Sequence, residues 1–555
     1  MRQALSSALL AAVAMAADLP TQHNDVYRTG ANLQEHELTP AVVRSGRFGK
    51  LFSISVNGQV YAQPLVATGI EIDGHGPRDV VFVATMENNV YAFDANSASE
   101  APFWKVNVGP PVPYQEIPQG ITTIGDTYNI RQWIGITSTP VVDRAADRLF
   151  LTAKIKEPAG IRYRLFSLNT ANGNIVRSTE ITVNQNGRPI PDFAFRHLQR
   201  PGLLLSKGLI YVAFGAHQDP PDQTGWILAF SAETLEQKYA LGTTERGNGG
   251  GIWQAGNGPA ADDDGNLYFM TGNGDFNQRD QLGTSFVKVS PDLRILSWFT
   301  PANYRKLNLL DLDLGSAGPV LLPDTGELVG GGKEGRLFLL KQSDLGGLER
   351  HTFWHAQNNP PVQSFRGTPG WRLTWTSWIP GLWNEGYHHL HGSPVYWRSR
   401  SGRHLYIWGE EDNLRSFSYD RATHFNPKAG KSRVRAPEGM PGGILSLSAD
   451  GDHDGVLWAA LPLDEDAFIA TVRGVLRAFD ATTLEEIWST AAADPNDRFS
   501  FAKFCPPSVV NGKVYLATFS DRLNVYGLRE EAAAGPANRP RQPRPQKRRR
   551  RSEKH

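Results

Sequence analysis

Two acidic residues, Asp311 and Asp313, stand in an otherwise apolar stretch of this sequence, LLDLDLGSAG. Residues two apart on an extended strand point to the same side, so both carboxylates would converge on one cation while Leu310, Leu312 and Leu314 face a core. Two like charges held close together in a buried place are costly unless a cation offsets them. The spacing therefore indicates a cation site, and a solvated turn is the alternative interpretation.

A polar residue also ends an apolar strand pattern in the segment GNLYFMTGNGDF, where Asn273 lies between two glycines. Asparagine and glycine are the usual turn residues and tolerate positive φ, which favours an ordinary turn. A side-chain carbonyl oxygen aimed from the end of a strand is also a ligand that hard cations prefer, which favours a metal site. The segment by itself leaves both interpretations open.

Histidines are concentrated in the segment NEGYHHLHGSPVYW, in which His389 and His391 would share one side of an extended chain. Imidazoles at such a spacing can bind transition metals. A loop rich in histidine and tryptophan would equally bind a sugar by stacking. No carboxylate or third ligand stands in a suitable place in this segment, so metal binding is the weaker interpretation.

Internal repeats indicate how these residues would be positioned. A unit recurs that begins with a proline and an apolar strand, continues through a short turn into a second strand, and ends in an (A/S)-(F/L)-x-(A/T) motif with a bulky closing residue. The segments QPLVATG…DVVFVATMENNVYAFDAN and CPPSVVNGKVYLATFSDRLNVYGL are two of eight such units. Each holds about four short strands, separated by turn residues such as NG, DDDG and DTG.

These units predict an all-β fold, an eight-bladed β-propeller of four-stranded antiparallel blades. One four-stranded sheet cannot cover both of its faces, whereas radial stacking covers them and leaves only short protected edges. The early segment ELTPAVVRSGRFGKLFSISV precedes the first unit and would supply the strand that closes the ring against the last blade. Long insertions such as PPVPYQEIPQGITTIGDTYNIRQW are expected to form one rim.

Composition adds further limits. The 555 residues carry a net charge of +1, and 40% of them are hydrophobic, which is enough for a large core. The single cysteine, Cys505, excludes an intrachain disulfide and is expected to be a buried, inert thiol. From Pro536 onward nine lysines and arginines oppose one glutamate, so we expect residues 531–555 to be a disordered basic tail that could bind anionic surfaces. No nucleic-acid partner is expected.

The first residues, MRQALSSALLAAVAMAADLP, have the layout of a secretory signal peptide, with one arginine, an apolar run and Ala-Met-Ala before an acidic residue. We expect cleavage near Ala16 or Ala17, so that residues 1–17 form the signal peptide and residues 18–530 the propeller. No later segment approaches the roughly 20 apolar residues that span a bilayer. The sequence therefore predicts a secreted protein, extracellular or periplasmic, without a transmembrane segment.

The closing phrases YAFDANSASEAPFW, AFSAETLEQKY and AFDATTLEEIW resemble the tryptophan-docking repeats of the eight-bladed quinoprotein alcohol dehydrogenases. Proteins of that family bind pyrroloquinoline quinone (PQQ) together with a metal ion. The resemblance covers nearly all of Leu51 to Leu528, and it implies PQQ with Ca²⁺ or a lanthanide as cofactors and an alcohol or sugar as substrate. The chain has no CxxCH haem motif, so electrons would leave to an external acceptor.

The same resemblance implies roles for five residues. The motif GNGGGIWQAG offers Trp253 as the residue on which the quinone stacks; the alternative is that Trp253 is an aromatic residue of the propeller core. The TGN of YFMTGNGDF offers Asn273 as a metal ligand. Asp311 corresponds to the catalytic base, and Asp313 to the extra carboxylate of lanthanide-dependent methanol dehydrogenases; both would bind the metal. Lys333, in GGGKEGRLFLL, resembles the basic residue that contacts the quinone oxygens, where a cation would stabilise negative charge.

Two departures from the family pattern stand beside these matches. The metal-binding glutamate of the third blade is replaced by His217 or Gln218 in YVAFGAHQDPPDQTGW, and the adjacent cysteine pair above the quinone is impossible with one cysteine. The sequence thus predicts a PQQ- and metal-dependent dehydrogenase with Asp311 as general base. The alternatives are a non-catalytic propeller that binds a polymer or protein through its rim loops, and a lyase or hydrolase that uses the histidine-rich loop.

Overall fold

The computed structural model describes residues 17–117, 130, 132–185, 187–217, 223–349, 361–369, 388–468 and 470–529. These residues form eight large β-sheets of four or five strands, which confirms the predicted eight-bladed propeller. The predicted basic tail, and the predicted signal peptide apart from Ala17, lie outside the described residues. Within the described part of the chain, no helix is long and apolar enough to cross a membrane.

The first four blades follow one another along the chain, each from an inner to an outer strand. Blade 1 consists of Leu65–Ile72, Gly76–Ala84, Asn89–Asp94 and Trp104–Asn107. Blade 2 consists of Val141–Asp143, Arg148–Glu157, Gly160–Asn169 and Ile175–Glu180. Blade 3 consists of Leu204–Ser206, Leu209–Ala216, Trp226–Ser231 and Gln237–Gly242, with His197–Leu198 beside its second strand. Blade 4 consists of Ala260–Ala261, Leu267–Met270, Phe286–Val289 and Ile295–Thr300, with Gly347–Leu348 parallel to its last strand.

The remaining blades repeat this order with small additions. Blade 5 consists of Val320–Leu322, Glu327–Gly331, Arg336–Lys341 and Gln363–Arg366. Blade 6 consists of Val395–Ser399, Gly402–Ile407 and Asn413–Asp420, and its outer edge is divided between His424–Phe425 and Gly430–Arg435. Blade 7 consists of Ile444–Asp450, His453–Pro462, Gly474–Asp480 and Glu486–Ser489, with Ala31–Asn32 parallel to its first strand. Blade 8 consists of Ser508–Val510, Lys513–Ala517, Arg522–Leu528 and Phe48–Ser55.

Short elements occupy the connections between blades. Two-residue strands pair as Val112–Pro113 with Trp133–Ile134 and as Asn184–Gln185 with Arg188–Pro189. The α-helices are Pro40–Arg44, Phe193–Arg196, Tyr304–Leu309 and Thr490–Ala493, and the 3₁₀ turns are Tyr114–Glu116 and Leu314–Ser316.

The ring closes as predicted, by a strand from the early part of the chain. Phe48–Ser55 pairs antiparallel with Arg522–Leu528, from Phe48 opposite Leu528 to Ser55 opposite Arg522. Blade 8 is therefore complete only when both ends of the propeller segment are present.

Neighbouring blades pack through aromatic side chains at their closing phrases. Trp104, at the end of blade 1, donates a hydrogen bond from Nε1 to the carbonyl oxygen of Thr170 in blade 2 at 2.9 Å. Its ring lies against Gly173, where an added Cβ would be 2.5 Å from the ring and where φ is +73°. Only glycine satisfies both conditions without strain, because it has no side chain and adopts positive φ readily. The tryptophan-docking motif thus holds adjacent sheets together.

Candidate cofactor and metal site

The predicted residues occupy two kinds of position in the propeller. Asn273 and Lys333 lie in the turns that follow the second strands of blades 4 and 5. Trp253 lies in the connector from blade 3 to blade 4, and Asp311 and Asp313 lie in the connector from blade 4 to blade 5. Blades 4 and 5 are adjacent in the ring, so their turns and connectors meet at one end of the channel.

Asp311 and Asp313 converge on the ammonium group of Lys333. Nζ of Lys333 lies 2.6 Å from Oδ2 of Asp313 and 3.1 Å from Oδ2 of Asp311. The backbone N–H of Lys333 also donates to the carbonyl oxygen of Asp313 at 3.0 Å. The side chain of Asp313 is only 6% exposed and that of Lys333 14%, whereas that of Asp311 is 52% exposed. The three residues form one charged group that opens towards solvent at Asp311.

The backbone around this group differs from the extended strand that the sequence pattern predicted. The helix Tyr304–Leu309 comes first, and Asp311 follows it with a φ of +51°. This left-handed turn brings the next residues back towards blade 5, so strand alternation does not apply here. Leu312 and Leu314 are buried as expected, but Leu310 is only half-buried. The carboxylates therefore meet through a turn, and the buried side chains of Leu312 and Leu314 anchor this turn in the core.

Asn273 is both a turn residue and a member of the candidate site. Its side-chain Nδ2 donates to Oδ1 of Asp311 at 2.8 Å, and its backbone N–H donates to Oδ1 of Asp313 at 2.9 Å. Its own Oδ1 is buried and has no hydrogen-bond partner. A buried acceptor without a partner is costly, so this oxygen is a natural ligand for a cation.

Trp253 lines the same cavity as both carboxylates and Lys333. Glycines surround the half-buried indole: a Cβ added at Gly272 would lie 2.8 Å from Cδ1 of the ring and 2.6 Å from Oδ1 of Asp313. A Cβ added at Gly215 would lie 3.0 Å from Cε3 of the ring. The backbone therefore approaches the indole closely on two sides while the ring remains accessible from the cavity. Its Nε1 is buried without a hydrogen-bond partner.

The charges of the site perturb the protonation of Asp311. Removal of water by the surrounding protein raises the pKa of Asp311, and the negative charge of Asp313 raises it further. Lys333 and the hydrogen bond from Asn273 act in the opposite direction. A carboxylate with a raised pKa is a stronger base than a free one, and Asp311 is also the more open of the two acids. It is the group best placed to accept a proton from a small molecule.

The position expected to hold the family's third-blade glutamate has different chemistry. His217 is buried there, and its Nε2 lies 2.6 Å from Nζ of Lys154. Lys154 also donates to the carbonyl oxygen of His197 at 3.0 Å. Burial lowers the pKa of both Lys154 and His217 well below their ordinary values, so this pair is held without a carboxylate. Gln218, the other candidate at this position, lies outside the described residues.

A carboxylate that the sequence interpretation missed stands beside the histidine-rich segment. Glu410, in the turn after the second strand of blade 6, lies 3.0 Å from Nε2 of His391 through Oε1 and 3.5 Å from Nδ1 of His389 through Oε2. Ligand atoms of the three side chains all lie within 4.8 Å of one another. One signal was present in the sequence: Glu410 follows a glycine in IWGEED as Lys333 follows a glycine in GGGKEG.

The cavity at the channel mouth holds an empty volume of about 870 Å³, including its opening to solvent. Besides the predicted residues, its lining contains the cationic side chains of Arg200 and Lys503 and the imidazole of His391. Arg200 is positioned by Phe504, whose ring centroid lies 4.7 Å from its guanidinium carbon. Cys505 is buried nearby, as predicted, and burial raises the pKa of its thiol.

Comparison with solved structures identifies similar folds. The chain is similar to the quinohemoprotein alcohol dehydrogenase from Comamonas testosteroni, with 14% sequence identity and a TM-score of 0.54 over 92% of this chain and 80% of that one. A europium-containing methanol dehydrogenase matches with 12% identity and a TM-score of 0.56 over 92% of this chain and 98% of that one. A quinohemoprotein alcohol dehydrogenase from Pseudomonas putida HK5 matches with 13% identity and a TM-score of 0.54 over 96% and 83% of the two chains.

These similarities confirm the resemblance that the repeats indicated, at the level of the fold and with strongly divergent sequence. No protein-family model and no curated protein sequence matches the chain.

Proposed function

We propose that this chain, which shares the fold of the quinoprotein alcohol dehydrogenases, is an exported oxidoreductase that oxidises an alcohol or a sugar with PQQ and Ca²⁺ or a lanthanide. One observation carries the proposal: Asn273, Asp311, Asp313 and Lys333 contact one another beside the accessible indole of Trp253. They come from four separate parts of the chain, and together they supply the ligands, the base and the cation that such chemistry requires.

The oxygen atoms at this site fit a hard cation. Asn273 presents a buried Oδ1 without a hydrogen-bond partner, and Asp311 and Asp313 add two carboxylates at hydrogen-bond distance from the same residue. Ca²⁺ takes such carboxylate and amide oxygens as ligands, and a trivalent lanthanide would be favoured by the second carboxylate. These three residues would hold the metal.

Trp253 and Lys333 fit a planar, anionic ligand. The indole offers an apolar face within the cavity, and a planar ring stacks favourably on such a face. Lys333 places its ammonium group beside both aspartates, at the same cavity. PQQ, when bound, would supply the acceptor for the substrate hydride, which amino-acid side chains cannot provide.

Asp311 would take the hydroxyl proton of the substrate. It is 52% exposed, and its raised pKa makes it a stronger proton acceptor than an ordinary aspartate. Lys333 would hold the carboxylate in place through the 3.1 Å contact with its Oδ2, and Asn273 would fix the other oxygen at 2.8 Å. Asp313, more deeply buried, would contribute its carboxylate to the cation.

The proposed location and partners rest on the sequence. The predicted signal peptide supports export to the periplasm or the extracellular space. The missing haem motif supports an external electron acceptor, and the basic tail would bind anionic surfaces.

The direct test is reconstitution of purified protein that has been treated with a chelator. PQQ would be added with Ca²⁺ or La³⁺, and the quinone absorbance and dye reduction would be measured with methanol, ethanol and glucose. We expect cofactor uptake with both metals and dye reduction with at least one substrate. Failure to take up PQQ in the presence of either metal would overturn the proposal.

A second candidate function is favoured by the third-blade position. The buried pair of His217 and Lys154 replaces the carboxylate there, and this would weaken metal binding. The propeller would then bind a polymer or protein through its rim loops without redox chemistry. Unchanged polymer binding in protein that takes up no PQQ would support this candidate.

A further inference from the structure

A second group of ligating side chains lies in the same channel, one blade further along the ring. His389 and His391 are in the connector from blade 5 to blade 6, and Glu410 is in the turn after the second strand of blade 6. We name these three residues the channel triad. It is the single group of three or more histidine, cysteine, aspartate or glutamate residues with metal-binding spacing in the described part of the chain.

The two distances from Glu410 to the histidines match those between ligands of one metal ion. Glu410 is 3.0 Å from Nε2 of His391 and 3.5 Å from Nδ1 of His389. Nitrogen and oxygen ligands lie about 2.0–2.2 Å from a transition metal, which places neighbouring ligands about 3.0–3.5 Å apart at tetrahedral or octahedral angles. The side chains therefore need little movement to share one ion.

The two histidines are poorly satisfied by the protein. Nε2 of His389 is buried and lacks a hydrogen-bond partner, and Nε2 of the buried His391 has only the Glu410 carboxylate beside it, at 3.0 Å. The side chains are 10% and 4% exposed, and that of Glu410 is 12% exposed. Buried polar groups are almost always satisfied, so an unpaired imidazole nitrogen of His389 next to a second imidazole and a carboxylate points to a missing ligand.

The surrounding backbone holds the channel triad in place. The N–H of Glu410 donates to the carbonyl oxygen of His389 at 2.9 Å, and Nδ1 of His388 lies 2.9 Å from the carbonyl oxygen of Glu410. Between the two histidines, the carbonyl oxygen of Leu390 accepts from the hydroxyl of Ser316 at 2.7 Å. Supporting contacts of this kind orient the ligands of metal sites.

We propose that the channel triad binds a divalent transition metal ion such as Zn²⁺, Co²⁺ or Fe²⁺. Imidazole and carboxylate ligands together suit these ions rather than Ca²⁺ or Mg²⁺. Three protein ligands leave at least one coordination position, and His391 lines the cavity together with Asp313 and Lys333. The ion would therefore be accessible to water or a small molecule in the channel. The channel triad borders the cavity proposed for PQQ but consists of other residues, and its metal binding does not depend on PQQ.

The test is metal titration of the full-length, untagged protein after chelator treatment, without PQQ or Ca²⁺. Co²⁺ would be followed by its visible absorption and Zn²⁺ by calorimetry. We expect one ion per chain. In Glu410→Gln, which conserves shape, the affinity should fall by more than about 100-fold, since even loss of a residue that supports a ligand costs about 10–100-fold. His389→Gln/His391→Gln should abolish binding.

The chain offers a matched control at an exposed histidine pair. His36 and His453 contact Asp450 at 2.9 Å and 3.2 Å on the surface. His36→Gln/His453→Gln should leave the affinity unchanged, and circular dichroism would verify that every variant is folded. Absence of bound metal in the wild-type protein, full binding by folded Glu410→Gln, or loss of binding in the surface control would each overturn the proposal.

Discussion

The charged group of Asp311, Asp313 and Lys333, here called the aspartate group, and the channel triad are built from the same parts of successive repeats, yet they place acid and base in reverse order. The connector supplies the acids in the first and the imidazoles in the second. In each, two ligating residues flank one buried leucine in a connector, Leu312 in the first and Leu390 in the second. In each, the residue that follows a glycine in the next turn contacts these ligating residues; it is Lys333 in the first group and Glu410 in the second. Equivalent connector and turn positions thus recur in successive blades, and the side chains at these positions decide which chemistry each site can perform.

The difference between the two groups lies in how their charges are balanced. Lys333 supplies a cation to its two aspartates from within the chain, at 2.6 and 3.1 Å. In the channel triad, Nε2 of His389 is buried without a partner, and the Glu410 carboxylate faces two imidazoles. The acids of the first group are therefore balanced by a cation from within the chain, whereas the second group includes no lysine or arginine.

The largest expected effect is on catalysis at the aspartate group. Asp311→Asn removes the proposed base but preserves shape, so kcat with PQQ and metal should fall by about 10²–10⁴-fold, the usual contribution of a general base. The same substitution should leave Co²⁺ binding at the channel triad unchanged. The exposed Asp280→Asn serves as the control and should retain full activity; equal activity of Asp311→Asn would refute the assignment of the base.

Removal of the buried leucines tests whether the two connectors are equivalent in packing. Leu312→Ala and Leu390→Ala should each lower the free energy of unfolding by about 2–5 kcal/mol, because both side chains are fully buried. Denaturant unfolding without added metal measures this. The exposed Leu309→Ala should change stability little, and a negligible effect at either buried position would contradict the parallel drawn between the connectors.

Lys333→Met should remove the positive charge that balances the two carboxylates of the aspartate group. Loss of charge-assisted hydrogen bonds to two carboxylates, one of them deeply buried, is expected to cost about 1.5–3 kcal/mol. Added Ca²⁺ or La³⁺ should then raise the melting temperature more in the variant than in the wild type, since a metal ion would replace the lost cation. If the variant is as stable as the wild type, Lys333 does not balance these acids.

Glu410→Gln should have a smaller, pH-dependent effect in protein kept free of metal. Burial raises the pKa of Glu410 to about 7, so its protonated form is favoured in the folded state. The stabilisation that protonated Glu410 gives the folded state is therefore fully present below about pH 4.5, and it is lost as the pH rises through about 7. The free energy of unfolding of the variant should exceed that of the wild type by roughly 1–3 kcal/mol at pH 8 and should equal it at pH 4. A difference that does not vary with pH would show that Glu410 does not titrate in this way.

The sequence predicted the ring and the members of the aspartate group because both depend on local signals. Prolines, turn residues and closing aromatics recur in every unit, and Asn273 and Lys333 follow second strands in two of them. The geometry around Asp311 was not predictable in the same way. Its turn follows a six-residue helix that lacks a side-chain cap, and alternation of apolar residues in LLDLDL imitates a strand.

Glu410 was missed for a different reason. Its approach to His391 requires the turn of blade 6 to fold against the connector before it, and this contact leaves no signal within the histidine-rich segment itself. The comparison of IWGEED with GGGKEG would have located it, because equivalent positions in repeats face equivalent places in space.

The strand Phe48–Ser55 has a consequence for biosynthesis. It is made early, yet its hydrogen-bonding partner, Arg522–Leu528, is made more than four hundred residues later. A nascent chain therefore carries this apolar edge unpaired until translation nears its end, and the loop that finally closes is almost as long as the whole propeller. A chain truncated shortly before Arg522 would contain all the other blades, but the ring would not close. Phe48–Ser55 would then be an unpaired edge strand that could pair with other chains.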